Sequence, residues 1–339
     1  MCGIVGGVAE RDVVAILVEG LRKLEYRGYD SAGIAVVDEE GALERVRMPG
    51  KVQGLADALT QQPLAGSTGI AHTRWATHGI PSEKNAHPHI CRKEIALVHN
   101  GIIENHEELR VAQKELGYEF TSQTDTEVVA HQVHAHVSRG HDLLAAVQQT
   151  VSELQGAYAL GVVSVGEPGR LVAARRGSPL VVGIGIGEFF IASDVAPLLP
   201  VTRRFIFLEE GDVADLRRDS LVIYDAGGAR VERPIKESEL SLDALDRGRY
   251  RHYMLKEIHE QSTAIAETLQ DRVSGEHVLE AAFGPGASEI FDKTKSVQII
   301  ACGTSYHAAM VARNWFEGLA GVPCRVEGGS EFRYRHPVS

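Results

Sequence analysis

The residues best suited to covalent chemistry stand at the start of the chain, in residues 1–6 (MCGIVG). If Met1 is removed, Cys2 carries both a thiol and a free α-amine. An α-amine titrates near pH ~8 and a thiol near ~8.5, so the amine can take the thiol proton at neutral pH. The apolar residues that follow predict a buried strand, which would tie this end into a core. Cys2 is therefore a candidate nucleophile, and an initiator Met followed by a Cys without a catalytic role is the alternative.

A second polar group follows a short apolar strand in residues 69–79 (GIAHTRWATHG). Arg74 offers a planar fork of donors that suits a carboxylate. Trp75 has the size to cover a site and exclude water from a reactive product. Taken singly, these residues also have ordinary interpretations, with Arg74 as a surface ion-pair residue and His78 as a structural histidine.

Asn100 and Gly101 follow a predicted buried strand over residues 95–99. A side-chain amide and the next backbone N–H can point at one place, as an oxyanion hole requires, and each donor is worth about 3 kcal/mol of barrier. A plain Asn-Gly turn is the alternative. Asp125 precedes a predicted helix over residues 126–138, where it is either a helix cap or a carboxylate that holds a substrate ammonium.

The elements that would position these residues follow from the sequence pattern. Residues 12–25 predict an amphipathic helix that packs on the first strand. Residues 26–31 (YRGYDS) predict a loop leading into a strand over 32–38, and this loop either lines a site near Cys2 or is a surface turn. A further helix is predicted over 142–154. Short strands typical of an antiparallel sandwich then recur at 158–165, 171–174, 180–184, 188–192, 205–208 and 221–224.

Histidine spacing raises the question of a metal, because His87, His89 and Cys91 alternate along the chain. A zinc site needs a third or fourth ligand and usually closes with a second short-spaced pair, which the sequence lacks. The histidines at 131, 134 and 136 fall on a predicted helix and give no better pattern. We therefore expect no metal site and no cofactor.

Composition limits the class of protein. The 339 residues have room for about two domains, and no segment approaches the ~20 apolar residues of a membrane span. The formal charge of -11 disfavours nucleic acid as a partner. Four scattered cysteines do not form a disulfide framework, so a reducing, cytoplasmic compartment is expected.

Taken together, the motifs at 2–6 (CGIVG), 26–33 (YRGYDSAG), 72–79 (HTRWATHG), 99–101 (HNG) and 124–127 (TDTE) resemble the glutaminase domain of the glutamine:fructose-6-phosphate aminotransferase family. That family belongs to the class II, N-terminal-nucleophile glutamine amidotransferases. The resemblance implies an α+β fold with four αββα layers, in which two antiparallel sheets face each other between helices. It also implies glutamine and fructose-6-phosphate as substrates, a homodimer in the full-length form, and the first step of hexosamine biosynthesis.

The resemblance assigns roles to individual residues. Cys2 would attack the side-chain amide of glutamine, with Asn100 and Gly101 as oxyanion donors. Arg74 would bind the α-carboxylate and Asp125 the α-ammonium. Thr77 and His78 would complete the closing loop, and Trp75 would be the gate for released ammonia. Arg27 and Gly28 would be neighbours of the nucleophile.

The end of the sequence predicts a second domain. An apolar strand over 297–301 is followed by Cys302 and then by Gly303, Thr304 and Ser305 at the start of a helix, an arrangement that can hold a phosphate. By resemblance these three residues bind the sugar phosphate. We expect a glutaminase domain over 2–235, a linker over 236–250, and over 251–339 the first part of an α/β sugar isomerase (SIS) domain.

The sequence stops early in that isomerase domain, before the Lys and Glu that the family would use on the sugar. The 339 residues are therefore expected to hydrolyse glutamine without making glucosamine-6-phosphate. Two other classes remain open. The purine-pathway amidotransferase and asparagine synthetase share a Cys2 glutaminase, but no nucleotide loop follows residue 240. A non-enzymatic sugar-phosphate-binding module would be indifferent to replacement of Cys2.

Overall fold

A computed structural model describes residues 2–38, 40–75, 79–238, 248–269, 272–274, 277–284 and 286–335. The chain divides into two compact units, one ending at Gly248 and the other beginning at Arg249. The described helices of the first unit are α1 (Val14–Leu24), α2 (Val52–Gln61), α3 (His106–Glu115), α4 (Thr126–Ser138) and α5 (Leu143–Glu153). Its described strands are β1 (Gly3–Val8), β2 (Ser31–Val37), β3 (Leu43–Pro49), β4 (Thr68–Arg74), β5 (His89–Cys91), β6 (Ile95–Ile103), β7 (Gly156–Ser164), β8 (Arg170–Arg176), β9 (Val181–Ile184), β10 (Phe189–Ala192), β11 (Arg204–Phe207), β12 (Val213–Arg217), β13 (Leu221–Tyr224), β14 (Arg230–Val231) and β15 (Ile235–Glu237).

Two antiparallel sheets form the centre of the first unit. Among the described residues, the first sheet has eight strands in the order β15-β11-β9-β10-β1-β4-β2-β3, and the second has seven in the order β14-β13-β12-β8-β7-β6-β5. Strand β1 therefore lies inside its sheet, hydrogen-bonded to β10 on one side and to β4 on the other. Cys2 directly precedes β1, so it lies at the end of a strand that is paired on both edges.

Alternation along the strands builds four layers. On β1, Ile4 and Val8 belong to the core between the two sheets, whereas Val5 belongs to the core beneath α1 and α2. This is the period of two expected for a strand buried on both faces. On the opposite face of the first unit, residues of α4 and α5 cover the second sheet. The predicted αββα fold class is thus confirmed.

The predicted helices and strands agree with the structure in type and differ mainly at their ends. Helix α1 occupies Val14–Leu24 of the predicted 12–25, and α4 occupies Thr126–Ser138. The carboxylate of Asp142 accepts a hydrogen bond from the backbone N–H of Ala145 at 2.8 Å and caps α5. Strand β15 (Ile235–Glu237) overlaps the predicted linker over 236–250, and residues 239–247 of that stretch lie outside the described residues.

The second unit begins with a long helix and then alternates strands and helices. Its described elements are α6 (Tyr253–Leu269), β16 (Val273–Ser274), β17 (His277–Val278), α7 (Ala287–Lys293), β18 (Val297–Ala301), α8 (Gly303–Trp315), β19 (Cys324–Gly328) and α9 (Gly329–Tyr334). Strands β18 and β19 pair in parallel, and α8 connects them, which is the βαβ unit of α/β folds. None of the described helices has both the length and the apolar character that crossing a bilayer requires.

Candidate active site

The position of the predicted nucleophile, Cys2, is fixed through Ile4, which is two residues further along the chain and is hydrogen-bonded to Ser193. The backbone N–H of Ile4 donates to Oγ of Ser193 at 3.1 Å, and the N–H of Ser193 donates back to the carbonyl of Ile4 at 3.0 Å. Ile4 is fully buried, while Cys2, two residues earlier, is partly exposed. Between the buried Ile4 and the partly exposed Cys2, the backbone passes from the core to the end of the sheet, where the Cys2 side chain lies.

The thiol of Cys2 is held by backbone atoms of Trp75. Its Sγ accepts a hydrogen bond from the N–H of Trp75 at 3.2 Å and lies 3.4 Å from the carbonyl oxygen of the same residue. Burial raises the pKa of the Cys2 thiol, and the Trp75 N–H only partly opposes this. The thiol is therefore protonated at neutral pH and needs a base to become a nucleophile.

Asn100 reaches the nucleophile from the other sheet. Its Nδ2 donates to the carbonyl oxygen of Cys2 at 3.2 Å, although β6 and β1 belong to different sheets. The sequence predicts that strand β6 ends before Asn100. In the structure it continues to Ile103, paired with β7. Asn100 and Gly101 therefore lie inside a strand, and the alternative interpretation of an Asn-Gly turn is wrong.

Gly101 occupies a place that excludes any side chain. Its φ is 131°, a region that L-residues rarely adopt, and a Cβ added there would lie 2.0 Å from the carbonyl oxygen of Ala157. The glycine thus allows the two strands to approach while the backbone turns locally. Gly101 also lines a small cavity whose other lining residues are Cys2, Arg74, Trp75, His87, His99, Thr124, Asp125 and Thr126.

The two charged residues predicted to bind substrate both line this cavity and are almost fully buried. Asp125 does not cap α4; one of its carboxylate oxygens accepts the backbone N–H of Ile103 at 2.9 Å. Nη2 of Arg74 donates to the carbonyl of Gly79 at 3.2 Å, and Nη1 lies 3.6 Å from a carboxylate oxygen of Asp30. The cavity therefore has a cation and an anion fixed in its wall beside the thiol.

Gly28 and Trp75 are in direct contact. A Cβ added to Gly28 would lie 2.2 Å from Cε3 of the Trp75 ring, and Gly28 has a φ of 117°. The ring, 56% exposed as a residue, therefore rests on a backbone that only glycine can provide. Arg27 ends a short 3-10 helix, and its side chain lies outside the described residues, as do Thr77 and His78.

Four buried histidines form a cluster that contacts the side chain of Asn100 through His72, and the sequence assigned none of them a role there: His72, His87, His89 and His99. Nε2 of His89 lies 3.0 Å from the hydroxyl of Thr124. Nε2 of His87 lies 3.3 Å from the hydroxyl of Thr126, and its Nδ1 accepts the backbone N–H of His99 at 3.3 Å. In the sequence, His72 and His99 stand within the motifs that contain Arg74 and Asn100, whereas the signal of His87 and His89 is their alternation with Cys91.

The predicted phosphate-binding residues lie in the second unit. Gly303, with φ of 59°, begins α8, and Thr304 and Ser305 are exposed in its first turn. The N-terminal end of this helix follows strand β18 directly, as the sequence predicts. The first-turn N–H groups of such a helix attract anions.

Comparison with known proteins gives matches to both units. A family model described as a glutamine amidotransferase domain matches residues 72–200, and one described as an SIS domain matches residues 290–338. The glutamine--fructose-6-phosphate aminotransferase (isomerizing) of Shewanella oneidensis is 61% identical over 335 residues, covering 99% of this chain and 55% of that protein. The proteins of the same name from Pseudomonas syringae pv. tomato and Vibrio vulnificus are 58% and 59% identical, with the whole of this chain and 55% of each relative covered. The chain thus spans about half the length of the curated relatives it matches.

Solved structures support the fold. The allosteric regulatory enzyme of purine biosynthesis matches with a TM-score of 0.59 and 24% identity, over 66% of this chain and 49% of that one. Glutamine phosphoribosylpyrophosphate amidotransferase from B. subtilis, complexed with ADP and GMP, matches with a TM-score of 0.60 and 20% identity, over 96% and 65%. At these identities the likeness concerns the fold alone. The sequence matches at 58–61% identity confirm the resemblance drawn from the motifs.

Proposed function

Since this chain belongs to the glutamine--fructose-6-phosphate aminotransferase family, we propose that its first unit hydrolyses L-glutamine to glutamate and ammonia. The observation that carries the proposal is a hydrogen bond between the two sheets: Nδ2 of Asn100, on the second sheet, lies 3.2 Å from the carbonyl oxygen of Cys2, at the end of a strand of the first. The residues lining one small cavity include Cys2, Gly101 and two buried charged residues, Arg74 and Asp125.

The chemistry begins with removal of Met1, which frees the α-amine of Cys2. This amine takes the thiol proton, because burial keeps the pKa of the thiol raised and the thiol cannot ionise alone at neutral pH. The sulfur attacks the amide carbon of glutamine, and the carbonyl electron pair moves to oxygen. Asn100 and the N–H of Gly101 donate to that oxyanion. The ammonium returns the proton to the leaving nitrogen, ammonia departs, and water hydrolyses the thioester.

Substrate orientation is assigned to the two buried charges. Arg74 pairs with the α-carboxylate of glutamine through its planar fork, and Asp125 accepts from the α-ammonium. Trp75, whose backbone holds the thiol and whose ring rests on Gly28, belongs to the loop that closes over the site. On the resemblance alone, we assign Thr77 and His78 to this loop and Arg27 to a place beside the nucleophile.

The second unit is proposed to begin a fructose-6-phosphate site. Gly303, Thr304 and Ser305 would hold the phosphate at the start of α8. In the family, ammonia would pass from the glutaminase domain to the sugar and give glucosamine-6-phosphate, the first step of hexosamine biosynthesis. We further propose a cytoplasmic compartment and a homodimeric full-length form. Neither a metal nor a cofactor is assigned to the reaction.

The test is a glutamate-release assay on the full chain, with intact mass to establish that Met1 is removed. Cys2→Ala should abolish glutamate release, whereas the matched control Cys302→Ala removes an exposed thiol and should leave it unchanged. An electrophilic analogue of glutamine should label Cys2 and spare Cys91, whose pKa burial raises to about 12.

Three outcomes would contradict the proposal. These are release that survives Cys2→Ala, labelling at Cys91 or Cys324, and full activity in material that retains Met1. A non-enzymatic sugar-phosphate-binding module would bind fructose-6-phosphate equally well with and without the Cys2 thiol and release no glutamate. Glutamate release by the wild type, and its loss in Cys2→Ala, therefore separate the two classes.

A further inference from the structure

We propose that His72 is a positioning residue, which fixes the side-chain amide of Asn100 so that its NH2 group faces Cys2. This inference rests on the proposed function, because it concerns the residue that donates to the oxyanion of glutamine hydrolysis. His72 lies on β4 of the first sheet and Asn100 on β6 of the second, so the contact joins the two sheets beside the nucleophile.

The direction of the hydrogen bonds follows from a backbone carbonyl. Nε2 of His72 lies 3.0 Å from the carbonyl oxygen of His99 and 2.9 Å from Oδ1 of Asn100. A carbonyl oxygen only accepts, so Nε2 must carry the hydrogen. The Asn100 atom that faces it must also accept, which places Oδ1, and not the NH2 group, toward the histidine.

A second carbonyl gives the same answer at the other end of the amide. Nδ2 of Asn100 lies 3.2 Å from the carbonyl oxygen of Cys2, which can accept only from a donor. A flipped Asn100 would place its NH2 group against the N–H of His72 and its oxygen against the oxygen of Cys2. Both contacts would then be repulsive in a buried place, so a flip is strongly disfavoured.

His72 is itself rigidly held in one tautomer. The residue is 1% exposed, and its ring stacks on that of His87 with centroids 4.1 Å apart and planes 15° apart. Nδ1 of His72 has no hydrogen-bond partner among the described residues. Burial lowers the pKa of His72 to about 3, with the neighbouring His99 and Arg74 lowering it further and the contact to Asn100 opposing. The ring therefore remains neutral, with its hydrogen on Nε2, throughout the range in which an enzyme works.

The role assigned to His72 differs from that of a catalytic residue. It donates to Oδ1 of Asn100, whose Nδ2 is the proposed oxyanion donor, and it is not among the residues that line the cavity with Cys2. Without His72, the side chain of Asn100 can still extend to Cys2, but it loses the contact that favours one orientation of its amide over the flipped one. Turnover should then fall while glutamine binding, which depends on Arg74 and Asp125, remains.

The test compares His72→Met, which removes the donor, with His72→Gln, whose amide places a donor near the position of Nε2. We expect His72→Met to lower kcat for glutamate release by about 10- to 100-fold, with KM changed less than about threefold, and His72→Gln to restore most of the loss. In an Asn100→Ala background, His72→Met should lower kcat by less than about threefold, because residues that act as one unit are not additive. The ratio of kcat between wild type and His72→Met should not vary between pH 6 and 8.

A matched control is His134→Met, which removes a buried histidine bonded to the hydroxyl of Tyr118 at 2.8 Å, away from the cavity. It should lower the melting temperature and leave kcat unchanged. Glutamate γ-semialdehyde forms a tetrahedral adduct with a thiol and so provides a second measurement. Its affinity should fall about tenfold or more in His72→Met, while that of glutamate should not.

The two proposals fail in different ways. If wild-type protein without Met1 releases no glutamate, the proposed function is wrong. If the wild type is active but His72→Met is as damaging in the Asn100→Ala background as alone, or raises KM instead of lowering kcat, the positioning role is wrong. Should His72→Met fail to fold, His72→Asn takes its place, because this shorter amide keeps a polar group but does not reach Asn100.

Discussion

Acid should destabilise the first unit well before its carboxylates are protonated, because the fold buries neutral imidazoles. Burial lowers the pKa of His72 to about 3 and brings the pKa values of His87 and His89 well below 6.5. In the unfolded chain each would titrate near 6.5. Above that pH both states are neutral and stability is unaffected. As pH falls below it, the unfolded state binds protons that the folded state does not, so stability is lost.

The size of the effect follows from proton linkage. A histidine that stays neutral in the folded state and titrates at ~6.5 when unfolded lowers the free energy of unfolding by about 1.4 kcal/mol at pH 5.5 and by almost nothing at pH 7.5. For the three histidines the loss between these values is about 4 kcal/mol, a large part of the ~5–15 kcal/mol by which a domain is stable. Burial also lowers the pKa values of His131 and His134, and these add in the same direction.

Urea unfolding of the full chain at pH 7.5 and 5.5 measures this loss, with access of a thiol reagent to the buried Cys91 as the readout for the first unit. His72→Gln removes one of the three groups and should reduce the pH dependence by about a third. Thr150→Val is the matched control, since it removes a buried hydroxyl bonded to the carbonyl of Ala146 without changing a titrating group. The reasoning fails if the free energy of unfolding is equal at the two pH values, or if His72→Gln retains the whole difference.

Three further substitutions test the site directly. Asn100→Ala should lower kcat for glutamate release by about 100-fold or more with a modest change in KM, because it removes an oxyanion donor, and a large rise in KM at unchanged kcat would contradict that role. Arg74→Lys should raise KM for glutamine by about tenfold or more, since a point charge cannot replace the planar fork; unchanged KM in steady-state kinetics would exclude the carboxylate contact. Gly101→Ala should lower both the melting temperature and kcat, because its Cβ would lie 2.0 Å from the carbonyl oxygen of Ala157 at a φ of 131°, and wild-type values of both would show that the backbone there adjusts freely.

Periodicity in the sequence predicts helices and strands that bury at least one apolar face. Helix α1 has one apolar face and β1 is buried on both, so both are evident from the pattern. Strand β15 is exposed along its length at the edge of the sheet, and its composition therefore resembles that of a linker. The extension of β6 beyond Asn100 also escapes prediction, because Gly101 normally signals a turn and only the pairing with β7 carries the strand onward.

The sequence predicts several residues that the structure places at or beside one cavity, but it does not predict the contacts between them. Arg74, Asp125, Asn100 and Cys2 line or border one cavity, as their residue types and the family resemblance suggest. The sequence leaves open whether Asp125 caps a helix, and the structure shows its carboxylate on the N–H of Ile103 instead. The contact between His72 and Asn100 crosses from one sheet to the other, and no local pattern reports which strands of two stacked sheets meet.

The reciprocal hydrogen bonds between Ile4 and Ser193 have a consequence for heat inactivation. A chain terminus usually melts first, by fraying, and a terminal nucleophile would then be lost while the rest of the molecule remained intact. Here the strand behind Cys2 is bonded on both edges and can come away only when the sheet does. Amide hydrogens of Ile4 and Val5 should exchange with deuterium only through global opening, and enzyme activity and the calorimetric transition should disappear together on heating.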